Sequence, residues 1–152
     1  MREEIEITEL NDSNTIQYKT DIMNVMADSY KLNFPNEKYM NPEEKFEKML
    51  TYKREGKAEI FIAARKEKFC GYIWFFIQDI EKIHLNEIAV VRDERSAGIG
   101  TKLIAKLEEY AKERNIKNIE LFCMEENKSA KNFYSRLGFT TKKRLLVKTI
   151  TI

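Results

Sequence analysis

Arg95-Ser96-Ala97-Gly98-Ile99-Gly100, RSAGIG, separates an apolar run, LNEIAVV, from an amphipathic run, TKLIAKLEEYAKER. The pattern predicts a strand over residues 83–91 and a helix from about Gly98 to Arg114. Glycine tolerates backbone angles that other residues avoid, and the first turn of a helix leaves its amides unpaired. The stretch therefore indicates either an anion-binding helix start or a tight turn that holds nothing.

Composition limits the class of protein. The chain has 152 residues, 43% of them apolar, which suits a single domain over residues 1–152. Its net charge of +2 gives no strong attraction to nucleic acid or to an anionic membrane. Cys70 and Cys123 lie far apart and outside any metal-ligand spacing, so no metal site or disulfide is expected and a reducing, cytoplasmic setting fits. The longest apolar run, GYIWFFI, is far below the about 20 residues that span a bilayer.

The order of the remaining elements indicates a mixed sheet. Two β-rich runs, EIFIAAR and FCGYIWFFI, predict an antiparallel hairpin, and the strand, helix and strand that follow predict a parallel crossover. Asn41 and Pro42 are typical of a helix start. The other predicted elements are a strand near residues 4–9, a helix over residues 15–30, a strand over residues 118–124, a helix over about 128–137 and a β-rich tail over residues 145–152.

Two motifs resemble one family. RSAGIG matches the Arg/Gln-x-x-Gly-x-Gly/Ala motif of the GNAT superfamily of acetyl-CoA-dependent N-acetyltransferases, and Asn127 to Phe139, NKSAKNFYSRLGF, is similar to its later Asn-x-x-Ala-x-x-Phe-Tyr-x-x-x-Gly-Phe segment. The resemblance implies an α/β (α+β mixed) fold. Its central sheet would be mixed, mostly antiparallel and twisted, with about six to seven strands, about four flanking helices and a splayed V between the fourth and fifth strands.

The resemblance also implies acetyl-CoA as the cofactor and names the residues that would bind it. Amides of the glycine turn would hold the pyrophosphate, amides at the end of the fourth strand would bind pantetheine and the acetyl carbonyl, and Asn127 would contact pantetheine unless it only caps a helix. Lys131 or Arg136 would meet the 3′-phosphate. The full cofactor set is Ala89, Val90, Val91, Arg95, Ser96, Ala97, Gly98, Ile99, Gly100, Thr101, Asn127, Lys131 and Tyr134.

Acetyl transfer to an amine needs a base, because an ammonium has no lone pair, and an acid for the departing thiolate. Tyr134 matches the family tyrosine often assigned as the acid; its alternative role is packing between helix and sheet. Glu87 and His84 are candidate bases, and Glu120 is a third. Glu87 and His84 are an odd number of residues apart, which predicts opposite faces of the strand unless a bulge intervenes.

The leading functional hypothesis is an enzyme that transfers acetyl to a primary amine of a small molecule, peptide or protein by direct attack in a ternary complex. Two alternatives stay open: a non-catalytic coenzyme A-binding regulatory module, and a toxin-like acetylase of aminoacyl-tRNA, against which the balanced charge argues. The resemblance implies that the first helices, the loop from Tyr30 to Pro42 and the late strands line the acceptor groove. The acidic and aromatic residues of this loop suit an amine-bearing cation. The strand-like tail could pair with a second copy in a homodimer.

Overall fold

The computed structural model describes residues 3–36 and 40–152. Residues 37–39 of the predicted acceptor loop, which include Glu37 and Tyr39, lie outside the described residues. Contacts divide the chain into two compact units, one ending at Phe122 and the other running from Cys123 to Ile152. The elements, in order, are β1 (Ile5–Glu9), α1 (Thr15–Asn33), α2 (Pro42–Arg54), β2 (Ala58–Arg65), β3 (Lys68–Ile77), β4 (Lys82–Val90), a 3-10 turn (Arg92–Glu94), α3 (Ile99–Glu113), β5 (Asn118–Glu120) and α4 (Lys128–Arg136).

The sheet confirms the predicted mixed α/β class. Its strands lie in the order β1-β2-β3-β4-β5, and every neighbouring pair is antiparallel except β4 and β5, which are parallel. The described residues form five strands instead of six to seven. The predicted strand over 118–124 ends at Glu120, where its pairing with β4 ends. The tail over 145–152 forms no strand, because β-rich alternation yields a strand only where a neighbouring strand supplies hydrogen bonds.

The predicted start of α2 at Asn41 and Pro42 is confirmed. The side chain of Asn41 accepts a hydrogen bond from the Glu44 amide at 3.2 Å, and Pro42 occupies the first turn, where its missing N–H removes no helical bond. The helix buries Phe46, Met49 and Leu50 against the sheet. α1 is longer than expected, since it continues past Tyr30 to Asn33.

Helices cover both faces of the sheet. We call the side packed by the first two helices the α1/α2 face; its buried cluster includes Tyr18, Ile22, Met26, Phe46, Met49, Ile60, Ile62, Tyr72, Trp74 and Ala89. The opposite side, the α3 face, is covered by α3, whose Tyr110 ring lies 6.3 Å from the ring of Phe61 and 5.1 Å from that of Phe75. The amphipathic stripe of α3 is therefore confirmed as its packing side, with Leu103 and Leu107 fully buried.

A bulge in β4 changes which side chains share a face. Trp74 pairs with Glu87 and the next residue, Phe75, pairs with Leu85, so Asn86 is an extra residue in β4. Partners directly opposite each other in a sheet point to the same side. Glu87 follows Trp74 onto the α1/α2 face, and His84 follows its partner Phe76 onto the same face. The exception named for Glu87 and His84 therefore applies: the bulge adds one residue between them, so their side chains share a face.

Candidate active site

The glycine turn opens α3 in a geometry suited to an anion. Gly98 is the N-cap with φ 81°, and Ser96 also has a positive φ of 68°. The first hydrogen bond of the helix runs from the Lys102 amide to the Gly98 carbonyl at 3.1 Å, so the three amides before it have no partner within the helix. The turn from Arg95 to Gly98 is exposed. Unpaired amides and the positive end of the helix dipole together can bind phosphate.

A buried ion pair fixes Glu94, the residue that directly precedes this turn. The Arg65 guanidinium of β2 lies 3.2 Å from the Glu94 carboxylate, and the two side chains are only 15% and 10% exposed. Glu94 closes the 3-10 turn through its amide, which donates to the Val91 carbonyl at 3.0 Å. This pair was not predicted, because a glutamate in a charged loop and an arginine 29 residues earlier carry no local signal of contact.

The end of β4 offers main-chain groups beside the turn. β4 and β5 pair only from Lys82 with Asn118 to His84 with Glu120, while β4 continues to Val90. Beyond His84 and Glu120 the two strands are no longer paired, as the predicted divergence of the fourth and fifth strands requires. The Val91 amide donates to the Cys70 carbonyl at 2.9 Å, so by strand alternation the N–H and C=O of Val90 point away from β3. Its carbonyl accepts the Arg95 side chain at 3.3 Å.

This alternation separates the three residues predicted at the end of β4. Because the amide of Val91 is bonded to β3 and that of Ala89 points the same way, only the Val90 amide faces the open edge. β3 and β4 also approach closely here, since a Cβ on Gly71 would lie 2.6 Å from the Ala89 carbonyl oxygen. Gly71 is a second position that the sequence analysis missed.

Glu87 is the most buried carboxylate among the candidate bases. One of its oxygens lies 3.0 Å from the Lys45 ammonium of α2, and the side chains are 11% and 24% exposed. Burial raises the pKa of Glu87, while the charge and hydrogen bond of Lys45 act in the opposite direction without cancelling the effect. A carboxylate with a raised pKa is a better proton acceptor near neutral pH. Lys45 was not predicted as a site residue.

His84 and Glu120, the other two candidates, contact each other. The Nδ1 atom of His84 lies 3.3 Å from a Glu120 oxygen, and the other Glu120 oxygen lies 3.4 Å from the Lys82 ammonium. The His84 ring also lies 5.1 Å from the ring of Phe122. The three candidates thus form two separate pairs on one face, Glu87 with Lys45 and His84 with Glu120.

The second compact unit carries the later motif. Asn127 caps α4, since its side chain accepts a hydrogen bond from the Ala130 amide at 3.1 Å, which confirms the capping role considered for it. The Lys131 ammonium lies 2.9 Å from the Glu125 carboxylate. The half-buried Tyr134 ring makes edge contacts with the rings of Phe133 and Phe139, at 5.2 and 5.5 Å.

Neither residues 3–36 nor residues 40–152 contain a helix both long and apolar enough to cross a bilayer. In the same ranges, His, Cys, Asp and Glu side chains do not gather in groups of three or more that could hold a metal ion. Both cysteines, which lie in these ranges, are free thiols.

The chain belongs to the acetyltransferase (GNAT) family, whose profile matches residues 22–139. It is 47% identical over 76 residues to an uncharacterised N-acetyltransferase of Methanocaldococcus jannaschii. The matched stretch covers 48% of this chain and 33% of that protein. The chain spans between 33% and 59% of the length of this and two other curated relatives.

Solved structures share the fold over nearly the whole chain. A GNAT-family acetyltransferase of Staphylococcus aureus superposes with a TM-score of 0.78 at 26% identity, over 93% of this chain and 87% of that one. The PaiA N-acetyltransferase of Thermoplasma acidophilum, solved with coenzyme A, gives a TM-score of 0.76 at 19% identity, over 91% of both chains. Five strands with a parallel β4–β5 pair are therefore enough to match the fold of this family.

Proposed function

We propose that this protein is an acetyl-CoA-dependent N-acetyltransferase that acetylates a primary amine of a small molecule, peptide or protein. The observation that carries the proposal is the exposed turn from Arg95 to Gly98, which opens α3 with unpaired amides at the end of a diverging strand. Family membership and a relative solved with coenzyme A support the same cofactor.

The residues of the turn fit a diphosphate. The amides of Ile99, Gly100 and Thr101 would donate to phosphate oxygens, and Arg95, Ser96, Ala97 and Gly98 would shape the turn around them. Acetyl-CoA, when bound, supplies an acetyl thioester. The Val90 amide, which faces the open edge of β4, would donate to the acetyl oxygen as negative charge develops there; such a donor is commonly worth about 3 kcal/mol of barrier. Asn127 and Lys131 keep the pantetheine and 3′-phosphate roles that the motif implies.

Glu87 is the proposed base, with His84 the second candidate. The Glu87 carboxylate would take a proton from the amine as its nitrogen forms the bond to the acetyl carbon and the carbon–sulfur bond breaks. Tyr134, the proposed acid, would give its proton to the departing sulfur and regain one from solvent. The burial of Glu87 supports its role, because burial raises its pKa towards the range in which an amine can be deprotonated.

Domain organisation, cellular location and partners follow from the same features. We propose one acetyltransferase domain over residues 1–152 in the cytoplasm, where two free thiols would persist. A net charge of +2 supports a small or peptidic partner over nucleic acid or membrane. Exposed apolar side chains at Leu145, Leu146 and Val147 support a homodimer through the tail, which light scattering of the full chain would test.

The direct experiment measures both the binding of acetyl-CoA and the turnover of amines. Calorimetric titration with acetyl-CoA should saturate, and free thiol should be released when a panel of primary amines is added, with the acetylated product identified by mass spectrometry. Saturable binding without thiol release from any amine would favour the regulatory module. Folded protein that does not bind acetyl-CoA would overturn the proposal.

A further inference from the structure

The α1/α2 face buries three polar atoms that have no hydrogen-bond partner among the described residues. They are the Tyr72 hydroxyl, the Trp74 indole Nε1 and one carboxylate oxygen of Glu87. Tyr72 and Trp74 are 0% and 3% exposed. A buried polar group without a partner costs about 1–3 kcal/mol, so three on one face need an explanation.

The three residues that carry these atoms occupy neighbouring positions in the β3–β4 ladder. Trp74 lies directly opposite Glu87 in the β3–β4 ladder, and Tyr72 is the next residue of β3 on the same face. Lys45 reaches the same place from α2, because its ammonium lies 3.0 Å from the second Glu87 oxygen. Lys45 is the more exposed member of that ion pair, so it forms the outer side of this polar cluster.

The cluster contains more hydrogen-bond donors than acceptors. Indole Nε1 and ammonium groups only donate, and a tyrosine hydroxyl can donate, whereas ionised Glu87 only accepts. The cluster therefore offers one site for an ammonium and three donors for an oxygen anion. Its charge matters as well, since Lys45 and Glu87 together are neutral. A purely cationic acceptor would place a second cation beside Lys45, while a zwitterion adds no net charge to a poorly solvated site.

We propose that the acceptor is an amino-acid-like zwitterion, whose amine is received by Glu87 and whose carboxylate is received by Lys45 with the Trp74 and Tyr72 donors. This inference rests on the proposed acetyltransferase function and narrows its substrate class. It differs from the cation expected from the composition of the loop between α1 and α2, because the groups on the sheet itself are mostly donors.

Matched acceptors test the proposal. Alanine with ethylamine, and lysine with cadaverine, differ by a single carboxylate. With acetyl-CoA at saturation, thiol release should show a kcat/KM for each amino acid about tenfold or more above that of its decarboxylated partner, as expected for a charge-assisted contact. Equal or better turnover of the decarboxylated amines would overturn the proposal and leave the acetyltransferase function standing.

Three variants identify the groups responsible. Lys45→Gln should abolish the preference for the amino acid, Lys45→Arg should retain most of it, and Trp74→Phe should weaken it by removing one donor while keeping an aromatic ring. Lys48→Gln is the matched control, since Lys48 lies on the same helix with its ammonium 6.0 Å from the Tyr52 ring centroid. A preference that survives in Lys45→Gln would contradict the assignment.

A binding measurement separates failure of this inference from failure of the proposed function. The coenzyme A-saturated protein should bind alanine in preference to ethylamine by calorimetry, even if no amine is acetylated. Absence of thiol release together with this preference would count against catalysis only. Absence of the preference in both assays would reject the zwitterion.

Discussion

The two faces of the sheet are both largely apolar, but they differ in the polar groups that they bury. On the α3 face, α3 meets β2 and β3 through rings and aliphatic side chains, as the contacts of Tyr110 with Phe61 and Phe75 show. The α1/α2 face is also apolar in most of its area, but near β4 it buries Glu87 beside Lys45. The α3 face also carries an ion pair, between Glu59 and Lys53, but none of the candidate bases. The α1/α2 face carries the candidate bases, and buried polar groups weaken a core and are retained where chemistry or binding needs them.

The largest expected effect concerns the base on the α1/α2 face. Glu87→Gln keeps the shape of the side chain and removes its ability to accept a proton, so kcat/KM should fall about 100-fold or more. The measurement is the initial rate of thiol release on protein whose circular dichroism matches the wild type.

A control for this change lies on the other face. Glu59 pairs with Phe75 on the α3 face and with the Lys53 ammonium, so Glu59→Gln also neutralises a carboxylate in an ion pair. Its kcat/KM should stay near the wild-type value. Equal losses in the two variants would mean that the faces do not differ in function.

The next largest effect is expected on the stability of the protein when a buried side chain of the α3 face is shortened. Leu107 is fully buried, so Leu107→Ala should lower the free energy of unfolding by about 2–5 kcal/mol, measured by urea denaturation. The folded fraction should keep the wild-type kcat/KM. Ile80→Ala at an exposed position should change stability by less than about 0.5 kcal/mol. A stable Leu107→Ala protein with reduced turnover would contradict a purely structural α3 face.

A smaller effect should arise where β3 and β4 approach each other. The new Cβ of Gly71→Ala would lie 2.6 Å from the Ala89 carbonyl oxygen, so the end of β4 must shift. We expect a loss of about 1–3 kcal/mol in stability and a higher KM for acetyl-CoA, because the Val90 amide moves with the strand. An unchanged KM would show that the end of β4 does not position the cofactor.

The smallest stability effect is expected at the glycine turn. Gly98 has φ 81° and open space where a Cβ would stand, so Gly98→Ala should cost about 1–2 kcal/mol from backbone strain alone. Gly56→Ala is the matched control, since Gly56 has φ 74° and equally open surroundings. Both should lose similar stability in urea, but only Gly98→Ala should weaken acetyl-CoA binding in calorimetry. Equal affinity in the two variants would remove the turn from the binding site.

The sequence predicted what depends on local order. The strand, glycine turn and helix around RSAGIG, the cap at Asn41 and the β2–β3 hairpin all follow from short-range backbone chemistry, and the family motifs supplied the fold. The contacts it could not supply join distant residues. Lys45 and Glu87 are 42 positions apart, and a lysine on an amphipathic helix has no local mark of an ion pair.

The features that the sequence did not determine have the same physical origin. One extra residue at Asn86 moved His84 onto the face of Glu87, and only cross-strand register reveals such a bulge. The predicted strand over 118–124 forms but stops at Glu120, and the one over 145–152 does not form, because side-chain alternation says nothing about whether a neighbouring strand is present. Strand ends and registers are decided by partners, which periodicity does not record.

The most direct test of the difference between the faces is the pH dependence of kcat/KM in the wild type and in Glu87→Gln. The base must be ionised to act, and burial raises its pKa, so wild-type activity should fall with decreasing pH at a midpoint above the ordinary range of a glutamate. Glu87→Gln should lack this acidic limb. An identical limb in both proteins would assign the base to another residue and contradict the account.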